Sequence, residues 1–486
     1  MGPTLKVLGV ALLLGQAIRW LAMGLVPFAD TSEPRYAEVA RLMAESGDWI
    51  TPWFSPGVPF WGKPPLSFWA QALGIRWLGL GEFSSRLPGW MAMAAVAWLM
   101  HRMGQRVMGV SAARWALLVF ATMLLPFVSA GAVLTDPFLA LGVTWSLVAF
   151  YFLSLEPSRR WGYGFFLGLS VGLLSKGPLA VVLVVGVVVA WCLWHRPARE
   201  ALRWMPWLSG TILMLLVSLP WYVLAEIKTP GFLHYFLLGE HVLRFTDPGW
   251  AGDLYGSAHE RARGAIWLDG FLAGMPWSLL AAGWLAAALA HAPSRENLRA
   301  SLREGSTRFL VLWALSTPAL FTVSSNILWT YVLPSCGAVA LLLGRALANS
   351  TAHWPRRVAG VTAIVVPLLF AGFGTASVLR PSYLKTEKFL VEAAMGNALA
   401  SGPLYFVGEL PFSARYYSQD TARSVELSAV PLLLQASKGT TLLAVRHDEA
   451  PALRSVVGAA PLVLVMTSRR YTLYQVAAPA RAAPLL

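Results

Sequence analysis

Apolar segments of about bilayer length dominate this chain and restrict what it can fold into. A helix needs ~20 apolar residues to cross the hydrocarbon core of a membrane. Eleven segments that approach or exceed this length are predicted as spans, at 7–28, 85–103, 113–132, 136–155, 161–175, 178–195, 206–226, 266–291, 307–323, 327–346 and 357–378. Segment 7–28 is too long for a signal-peptide core and is predicted to stay as the first span. The predicted fold class is an α-helical polytopic membrane protein.

One further segment decides which loops face which side. Residues 64–81 are short, begin with two prolines and carry Arg76, so they are predicted to lie at the interface without crossing. With the N-terminus in the cytoplasm, the Arg-rich short loops then all fall on the cytoplasmic side, as the positive-inside rule expects. The loops 29–84 and 227–265 and the chain after residue 380 are predicted on the outer face.

The net charge of +14 has a ready explanation in this topology. Basic loops of a membrane protein set its orientation and contact anionic membrane lipids. Nucleic acid is therefore not predicted as a partner. The two cysteines, Cys192 and Cys336, lie inside apolar segments and predict no disulfide framework.

The C-terminal part differs in character from the rest. Short β-rich runs at 403–410, 441–447, 461–468 and 471–476 alternate with helical patterns such as 386–400. We therefore expect two domains, a transmembrane domain over residues 1–379 and a small α/β domain over residues 380–486 on the outer face.

The first outer loop is unusually rich in charge for this chain, with seven charged residues between positions 30 and 48. From Glu33 to the terminator Gly47 the pattern predicts an interfacial helix. Its apolar face carries Tyr36, Val39, Ala40 and Met43, and its solvated face carries Glu38, Arg41 and Glu45. Asp30 comes before this helix and Glu33 is its first residue, where the chain leaves the bilayer, and a solvated face does not account for them.

Further polar side chains are predicted at the same membrane face. They are Lys63, Asp136, Lys176, Glu240, His241, Arg244 and Tyr331. Charges near membrane depth are costly and are functional candidates, although lysines there can also extend to lipid headgroups. Cations can hold the phosphate of a lipid-linked substrate and stabilise it as a leaving group, while a carboxylate takes the proton of an attacking hydroxyl. This set predicts glycosyl transfer from a polyprenyl-phosphate sugar, or a related group transfer from lipid.

A transporter or flippase of lipid-linked sugars is the alternative from another class. Transporters commonly bind substrate near the bilayer midplane and show inverted repeats. Here the predicted spans are mostly apolar at mid-depth, and the charges collect on one face. The enzyme is favoured.

Eight strings in this order carry a resemblance to a known family. They are "SEPRYAEVARLMAESGDWITP", "FWGKPPLSFW", "SSRLP", "LTDPFLA", "SKGPLA", "HYFLLGEHVLRF", "GMPW" and "TYVLP". Between residue 30 and about residue 334 the chain resembles the integral-membrane glycosyltransferases of the GT-C type, which include protein O-mannosyltransferases and the aminoarabinose transferases of lipid A modification. The match is close to the aminoarabinose-transferase branch.

The resemblance implies direct, inverting displacement of a hexosyl or pentosyl group from a polyprenyl-phosphate donor. Asp30, or Glu33 beside it, would be the general base, and Asp136 would help to orient acceptor or donor. The acceptor would be a hydroxyl or phosphate on a lipid A-like lipid or an envelope glycan, and a protein O-mannosyltransferase-like activity is the alternative. The expected location is the bacterial inner membrane, with the site and the C-terminal domain facing the periplasm.

The resemblance also implies which residues contact the lipid phosphate of the donor. Lys63, Arg244 and Tyr331 would make these contacts, with Lys176 and Arg35 as further candidates.

Two positions depart from the pattern of the aminoarabinose transferases. That branch has an acidic residue before the lysine of the "KP" motif, which joins a histidine at a divalent metal, whereas this chain has Gly62. Glu240 and His241 would be the remaining ligands, so no cofactor is predicted with certainty. An ungapped alignment of "RYAE" also places Ser32 where the branch has its aspartate, which leaves the base to Asp30 or Glu33.

Overall fold

The computed structural model describes residues 3–247, 250–256, 260–350, 354–396, 402–437, 439–458 and 460–477. The chain forms two compact units, here called the helical unit and the C-terminal unit. The helical unit comprises Met1–Met23 and Leu42–Ala371, and the C-terminal unit comprises Gly24–Arg41 and Gly372–Leu486. The first part of the outer loop thus belongs with the C-terminal unit, whereas the domain limits expected from the sequence stay a prediction.

The first half of the chain is almost entirely helical. Its helices are α1 (Pro3–Leu25), α2 (Ser32–Ser46), α3 (Leu66–Leu78), α4 (Glu82–Thr122), α5 (Leu124–Ser129), α6 (Asp136–Leu155), α7 (Arg159–Lys176), α8 (Leu179–Trp194), α9 (Arg196–Ala201) and α10 (Trp207–Lys228). A short antiparallel hairpin of β1 (Trp53–Ser55) and β2 (Val58–Pro59) lies between α2 and α3.

The second half of the helical region begins with a π-helix, His234–Leu243. The helices that follow are α11 (Arg244–Thr246), α12 (Ala265–Ala273), α13 (Trp277–Ala290), α14 (Ala292–Arg303), α15 (Gly305–Phe321), α16 (Leu333–Asn349) and α17 (Trp354–Leu379), with a 3₁₀ turn at Trp329–Val332 before α16.

Within the described ranges, four helical stretches are long and apolar enough to cross a membrane. They are Asp136–Leu155, Trp207–Lys228, Trp329–Asn349 and Arg356–Leu379, and the bent pair of α12 and α13 makes a fifth if counted as one span. The apolar window of α10 is only 28% buried, against 78% in α6. Apolar surface left open on a helix of this length is suited to lipid. The mostly helical membrane fold is confirmed, whereas the count of eleven spans stays a prediction.

Two local features near the start of the helical region bear on the predicted spans. The segment that was expected not to cross contains α3, which has 13 residues, and its course relative to the membrane stays a prediction. The expected break between the spans 85–103 and 113–132 lies at Gly109, where the backbone of α4 leaves the helical conformation at φ 85°.

Helices α6 and α7 pack closely side by side and run antiparallel across a short turn. Glycines allow this approach, because a Cβ on Gly142 would lie 2.6 Å from the backbone nitrogen of Gly172. Their pairing puts the first residue of α6, Asp136, next to the last residue of α7, Lys176. Each charge also has the sign that its helix end favours.

The C-terminal unit contains a five-stranded mixed sheet. Its strands are β3 (Leu404–Val407), β4 (Arg423–Val425), β5 (Thr441–Arg446), β6 (Leu462–Thr467) and β7 (Tyr471–Val476), in the order β4-β3-β5-β7-β6. The strands β4, β3 and β5 are parallel, and β7 pairs antiparallel with β5 and β6.

Short helices and two apolar cores complete this unit. The helices are α18 (Lys388–Gly396), α19 (Phe412–Tyr417), α20 (Val430–Ala436) and α21 (Ala450–Val457). One core gathers around Phe406 and Leu473, and the other around Val445 and Leu453. The predicted small α/β fold is therefore present, with β4 as the strand that sequence reasoning missed. The expected helical pattern 386–400 is seen up to Gly396, and its end lies outside the described residues.

The charged helix of the first outer loop is present as α2, and its solvated face needs one correction. Glu45 is exposed as expected, but the prediction that Glu38 and Arg41 face water is wrong. Both are buried and form a bidentate ion pair at 2.6 and 2.8 Å. Arg415 and Asp420 of the C-terminal unit lie near Glu38, and burial raises the pKa of Glu38. Charges that come from so far along the chain leave no local sequence signal.

Candidate active site

A π-helix organises one group of charged side chains in the helical unit. In a π-helix the backbone hydrogen bonds join residues five apart rather than four apart. Side chains five apart meet here, and the Tyr235 hydroxyl donates to Glu240 Oε1 at 3.2 Å. In the same way the ring of Phe236 contacts the ring of His241, with 4.6 Å between ring centroids.

Glu240 is the centre of this group. Lys63 Nζ lies 2.9 Å from Glu240 Oε2, and Arg244 Nη1 lies 3.0 Å from Glu240 Oε1. Arg244 Nη1 also lies 3.4 Å from Asp253 Oδ2. Burial alone would raise the pKa of Glu240, but the charges of Lys63 and Arg244 lower it to about 2. Glu240 is thus a carboxylate that holds two cations at neutral pH.

Arg244 keeps part of its guanidinium available. Its carboxylate contacts in the described chain all use Nη1, which leaves the Nε and Nη2 edge for another partner. Burial opposes its charge, yet Glu240, Tyr331 and Asp253 raise the pKa of Arg244 above its ordinary value. A guanidinium edge of this kind can bind two oxygens of a phosphate at once.

A second ion pair lies where α6 begins and α7 ends. Lys176 Nζ is 2.7 Å from Asp136 Oδ1, and both side chains are less than one tenth exposed. The same ammonium lies over the ring of Tyr331, 4.5 Å from its centroid. The Tyr331 hydroxyl makes no hydrogen bond to the described residues, and its ring contacts Phe321 at 4.9 Å. Tyr331 thus lies next to Lys176 and within electrostatic reach of Arg244.

His241 connects the two ion-pair groups. Its Nδ1 lies 2.7 Å from the carbonyl oxygen of Phe236, and its Nε2 lies 2.9 Å from the carbonyl oxygen of Lys176. Gly177 makes room for this contact: it ends α7 at φ +67°, and a Cβ there would lie 2.7 Å from the ring of Phe236. The "SKG" string therefore ends a helix and also lets the π-helix approach Lys176.

The residues that would hold a divalent metal do not fit one in this chain. Both ring nitrogens of His241 point at backbone carbonyls, and Glu240 is neutralised by Lys63 and Arg244. Gly62 supplies no ligand side chain, and a Cβ there would lie 3.1 Å from the ring of Phe60, which would have to shift for a larger residue. The described residues contain no group of three or more His, Cys, Asp and Glu side chains that could bind a metal ion.

Seven residues that the sequence predicted for the site lie in these two connected groups of the helical unit. They are Lys63, Asp136, Lys176, Glu240, His241, Arg244 and Tyr331. Their roles in a reaction stay predictions.

The other three predicted residues belong to the C-terminal unit. Asp30 has a side chain that is 2% exposed and is bonded to Ser413 and Arg470. Glu33 lies in the first turn of α2. The guanidinium of Arg35 lies over the rings of Tyr36 and Phe412. Their roles as base and as phosphate contact likewise stay predictions.

Sequence reasoning missed three side chains of the helical-unit site. Tyr235 could have been found only by expecting a π-helix, for which the string "HYFLLGEH" carries no marker. Asp253 lies in an irregular loop, where a lone acid has no pattern. Asn326 Nδ2 donates to the carbonyl oxygens of Arg244 and Asp247 at 2.8 and 3.1 Å, so that it fixes the segment after the π-helix.

Comparison with known proteins places this arrangement in a class. The fold matches crystal structures of ArnT from Cupriavidus metallidurans, bound to undecaprenyl phosphate with a TM-score of 0.78 and in the apo state with 0.74, each at 18% identity. The first match covers 98% of both chains. The fold is thus that of a GT-C membrane glycosyltransferase.

Sequence relatives define the family. Residues 18–236 match the sequence model of the family described as dolichyl-phosphate-mannose-protein mannosyltransferase. An undecaprenyl phosphate-α-4-amino-4-deoxy-L-arabinose arabinosyl transferase of Pseudomonas fluorescens is 30% identical over 65% of this chain and 53% of its own length. Its counterpart in Pseudomonas aeruginosa is 30% identical over 76% of this chain and 66% of its own. The chain belongs to the integral-membrane glycosyltransferase family of protein O-mannosyltransferases and aminoarabinose transferases. It spans just over half the length of the first of these relatives.

Proposed function

We propose that this protein moves a sugar from a polyprenyl-phosphate-linked donor to an acceptor hydroxyl or phosphate. The observation that carries the proposal is the convergence of Lys63, Lys176, Arg244 and the Tyr331 hydroxyl in one region of the helical unit. Relatives named for an undecaprenyl-phosphate donor support the same donor class. The proposed site faces the periplasm from the bacterial inner membrane, in accord with the predicted cytoplasmic placement of the arginine-rich loops.

The donor phosphate is the group that these cations recognise. In the described chain each cation already faces a carboxylate: Lys63 and Arg244 face Glu240, and Lys176 faces Asp136. These carboxylates hold the cations in place before the donor binds, so little rearrangement is needed at the moment of reaction. The Nε and Nη2 edge of Arg244 and the Tyr331 hydroxyl then contact phosphate oxygens.

Bond cleavage at the anomeric carbon leaves a second negative charge on the polyprenyl phosphate. The charge develops where Lys63, Lys176 and Arg244 are already placed, so the cations bind the leaving phosphate more strongly than the donor. An acidic residue accepts the proton of the acceptor hydroxyl. For that role we propose Asp30 or Glu33, with Asp136 orienting a substrate through its contact with Lys176. Because the described residues do not fit a metal, no step is assigned to one.

Donor consumption tests the proposal directly. The full chain, purified in detergent, is incubated with an undecaprenyl-phosphate sugar and either a lipid A-type lipid or a serine-containing peptide, and release of undecaprenyl phosphate is measured. We expect release that depends on the lipid acceptor. Absence of release with every donor and acceptor, from protein that binds undecaprenyl phosphate, would overturn the proposal and favour transport of lipid-linked sugars.

Transfer to protein is the second candidate, and the matching mannosyltransferase family model favours it. The peptide arm of the same assay separates the two, because a protein O-mannosyltransferase-like enzyme modifies the peptide and leaves the lipid unchanged. Mass spectrometry of envelope lipids, glycans and proteins from a deletion strain then identifies the natural acceptor.

A further inference from the structure

A second group of buried charges lies in the C-terminal unit and surrounds Asp30. Asp30 Oδ1 accepts a hydrogen bond from the backbone N–H of Ser413 at 2.8 Å, and Oδ2 accepts one from the Ser413 hydroxyl at 2.7 Å. Arg470 also donates to Oδ2. Three donors therefore occupy a carboxylate that is 2% exposed.

Arg470 holds a second buried acid at the same time. Its Nη2 lies 3.0 Å from Glu387 Oε1, and the Glu387 side chain is fully buried. The Ser413 hydroxyl links the two acidic residues. It accepts a hydrogen bond from the Glu387 backbone N–H at 3.0 Å and donates one to Asp30. Ser413, Glu387 and Arg470 thus form a socket built by α19, the chain before α18, and the turn between β6 and β7.

The chain next to Asp30 is fixed to the same unit. The Asp30 backbone N–H donates to the carbonyl oxygen of Lys385 at 2.7 Å, and the Phe28 backbone N–H donates to the Tyr417 hydroxyl at 2.8 Å. The Phe28 ring packs edge-on against Tyr416 with 5.1 Å between centroids. Residues 28–30 lead directly into α2, so these bonds set where α2 begins.

A carboxylate in such a socket is poorly suited to remove a proton from a substrate. A general base needs an oxygen lone pair within hydrogen-bond reach of the acceptor hydroxyl. Oδ2 of Asp30 already accepts two hydrogen bonds and Oδ1 accepts one, and the side chain is closed to solvent. Glu33 lies three residues later in the first turn of α2 and is partly exposed.

We propose that Asp30 and Arg470 are positioning residues that fix the start of α2 on the C-terminal unit, and that Glu33 is the acid of the first outer loop that accepts the acceptor proton. The second part rests on the proposed transfer function. The socket itself does not, since it follows from the bonds around Asp30. Arg470 would thus be a functional residue far outside the strings that resemble the family.

Kinetics of single and double variants test this assignment. Asp30→Asn, Arg470→Gln, Ser413→Ala, Glu33→Gln and the double variant Asp30→Asn/Arg470→Gln are compared in the full chain. Arg446→Gln is the matched control, because Arg446 pairs with Asp448 on the surface of the same sheet.

Glu33→Gln should lower kcat at least ~100-fold, as expected for loss of a general base. Asp30→Asn and Arg470→Gln should each lower it about tenfold, and the double variant no further than the worse single one, because both break one interaction.

The pH profile separates a base from a positioning residue. Asp30→Asn should keep the acid limb of the kcat profile, and Glu33→Gln should lose it. If Asp30→Asn instead loses the acid limb while Arg470→Gln stays within twofold of the wild type, Asp30 is the base and the assignment is wrong.

Hydrogen exchange tests the socket independently of activity. Residues 24–41 should exchange faster in Arg470→Gln and in the milder Ser413→Ala than in Arg446→Gln, whose exchange should equal that of the wild type. Unchanged exchange in both socket variants would overturn the positioning role even if the enzyme assay gave no signal. A wild-type chain without transfer activity, but with faster exchange in the variants, would refute only the proposed function.

Discussion

The ammonium of Lys63 lies 2.9 Å from the carboxylate of Glu240, although 177 positions separate the two residues. This pair brings a lysine of the first outer loop to the π-helix that carries Arg244. It also places the ammonium of Lys63 where its positive charge would attract a phosphate bound by Arg244.

Replacement of Lys63 by alanine should therefore lower transfer strongly. Removal of one group that stabilises developing charge typically costs about 10²–10³ in kcat, and we expect a loss in this range for Lys63→Ala. Initial rates of undecaprenyl phosphate release at saturating donor provide the measurement. Lys228→Ala is the control, because Lys228 forms a lysine–carboxylate pair with Asp48 in the same unit. If Lys63→Ala keeps more than a third of the wild-type rate, Lys63 does not contact the reacting phosphate.

The buried pair of Lys176 and Asp136 allows stability and activity to be separated. Loss of one partner leaves a buried charge without compensation, which costs about 3–5 kcal/mol. We expect both Asp136→Asn and Lys176→Gln to lower the melting temperature in detergent. The double variant Asp136→Asn/Lys176→Gln should regain most of that stability, since no unpaired charge remains, but it should stay inactive.

Thermal unfolding and donor consumption are measured on the same preparations. A double variant that regains both stability and activity would show that the pair only holds α6 to α7. A double variant as unstable as the single ones would show that charge pairing is not what stabilises this contact.

The sequence predicted the members of the helical-unit site more successfully than it predicted their contacts. The length of an apolar run placed a span at residues 136–155, and α6 has the same bounds. Asp136 and Lys176 were expected at one face because the predicted topology puts both of their turns on the outer side. That they bond to each other depends on the close, glycine-mediated packing of α6 on α7, which is a tertiary property.

Contacts that depend on rare local geometry or on distant residues escaped prediction. Tyr235 reaches Glu240 because the helix there is a π-helix, and helical periodicity assumes an α-helix. Glu38 and Arg41 look like a solvated face in the sequence, yet both are buried and bonded to each other. Residues from a distant part of the chain can bury a helix face that looks solvated in the local sequence. The sequence of one chain does not reveal which distant residues do so.

Metal dependence is a further property that the geometry of this site predicts. Because both nitrogens of His241 face carbonyls and Gly62 has no ligand side chain, we expect less than one zinc ion per chain by elemental analysis. Incubation with EDTA should change the transfer rate by less than twofold. A stoichiometric zinc content together with loss of activity in EDTA would contradict this reading of the site.

The steric constraint at Gly62 can be tested separately. Gly62→Ala should destabilise the protein by about 1–3 kcal/mol, the usual cost of overpacking, because its Cβ would lie 3.1 Å from the Phe60 ring. Gly81→Ala is the control, since a Cβ there meets nothing within 4 Å. Gly62→Glu should be at least as unstable as Gly62→Ala and should not gain a zinc ion. Equal melting temperatures of Gly62→Ala and Gly81→Ala would show that the Phe60 ring moves aside freely.

The low pKa of Glu240 makes a prediction about acid stability. Burial would raise this pKa, but Lys63 and Arg244 lower it from 4.5 to about 2. A carboxyl whose folded-state pKa is depressed stabilises the fold at every pH above its unfolded value, and this contribution is lost as the pH falls toward the folded value. The stability difference between the wild type and Glu240→Gln should therefore stay constant from pH 7 to about pH 5 and shrink only below about pH 4.5. Chemical denaturation in detergent at a series of pH values measures this difference. If the difference already shrinks between pH 7 and pH 5, Glu240 is protonated at a pH well above its expected pKa. In that case Glu240 is not a carboxylate at neutral pH that pairs with Lys63 and Arg244.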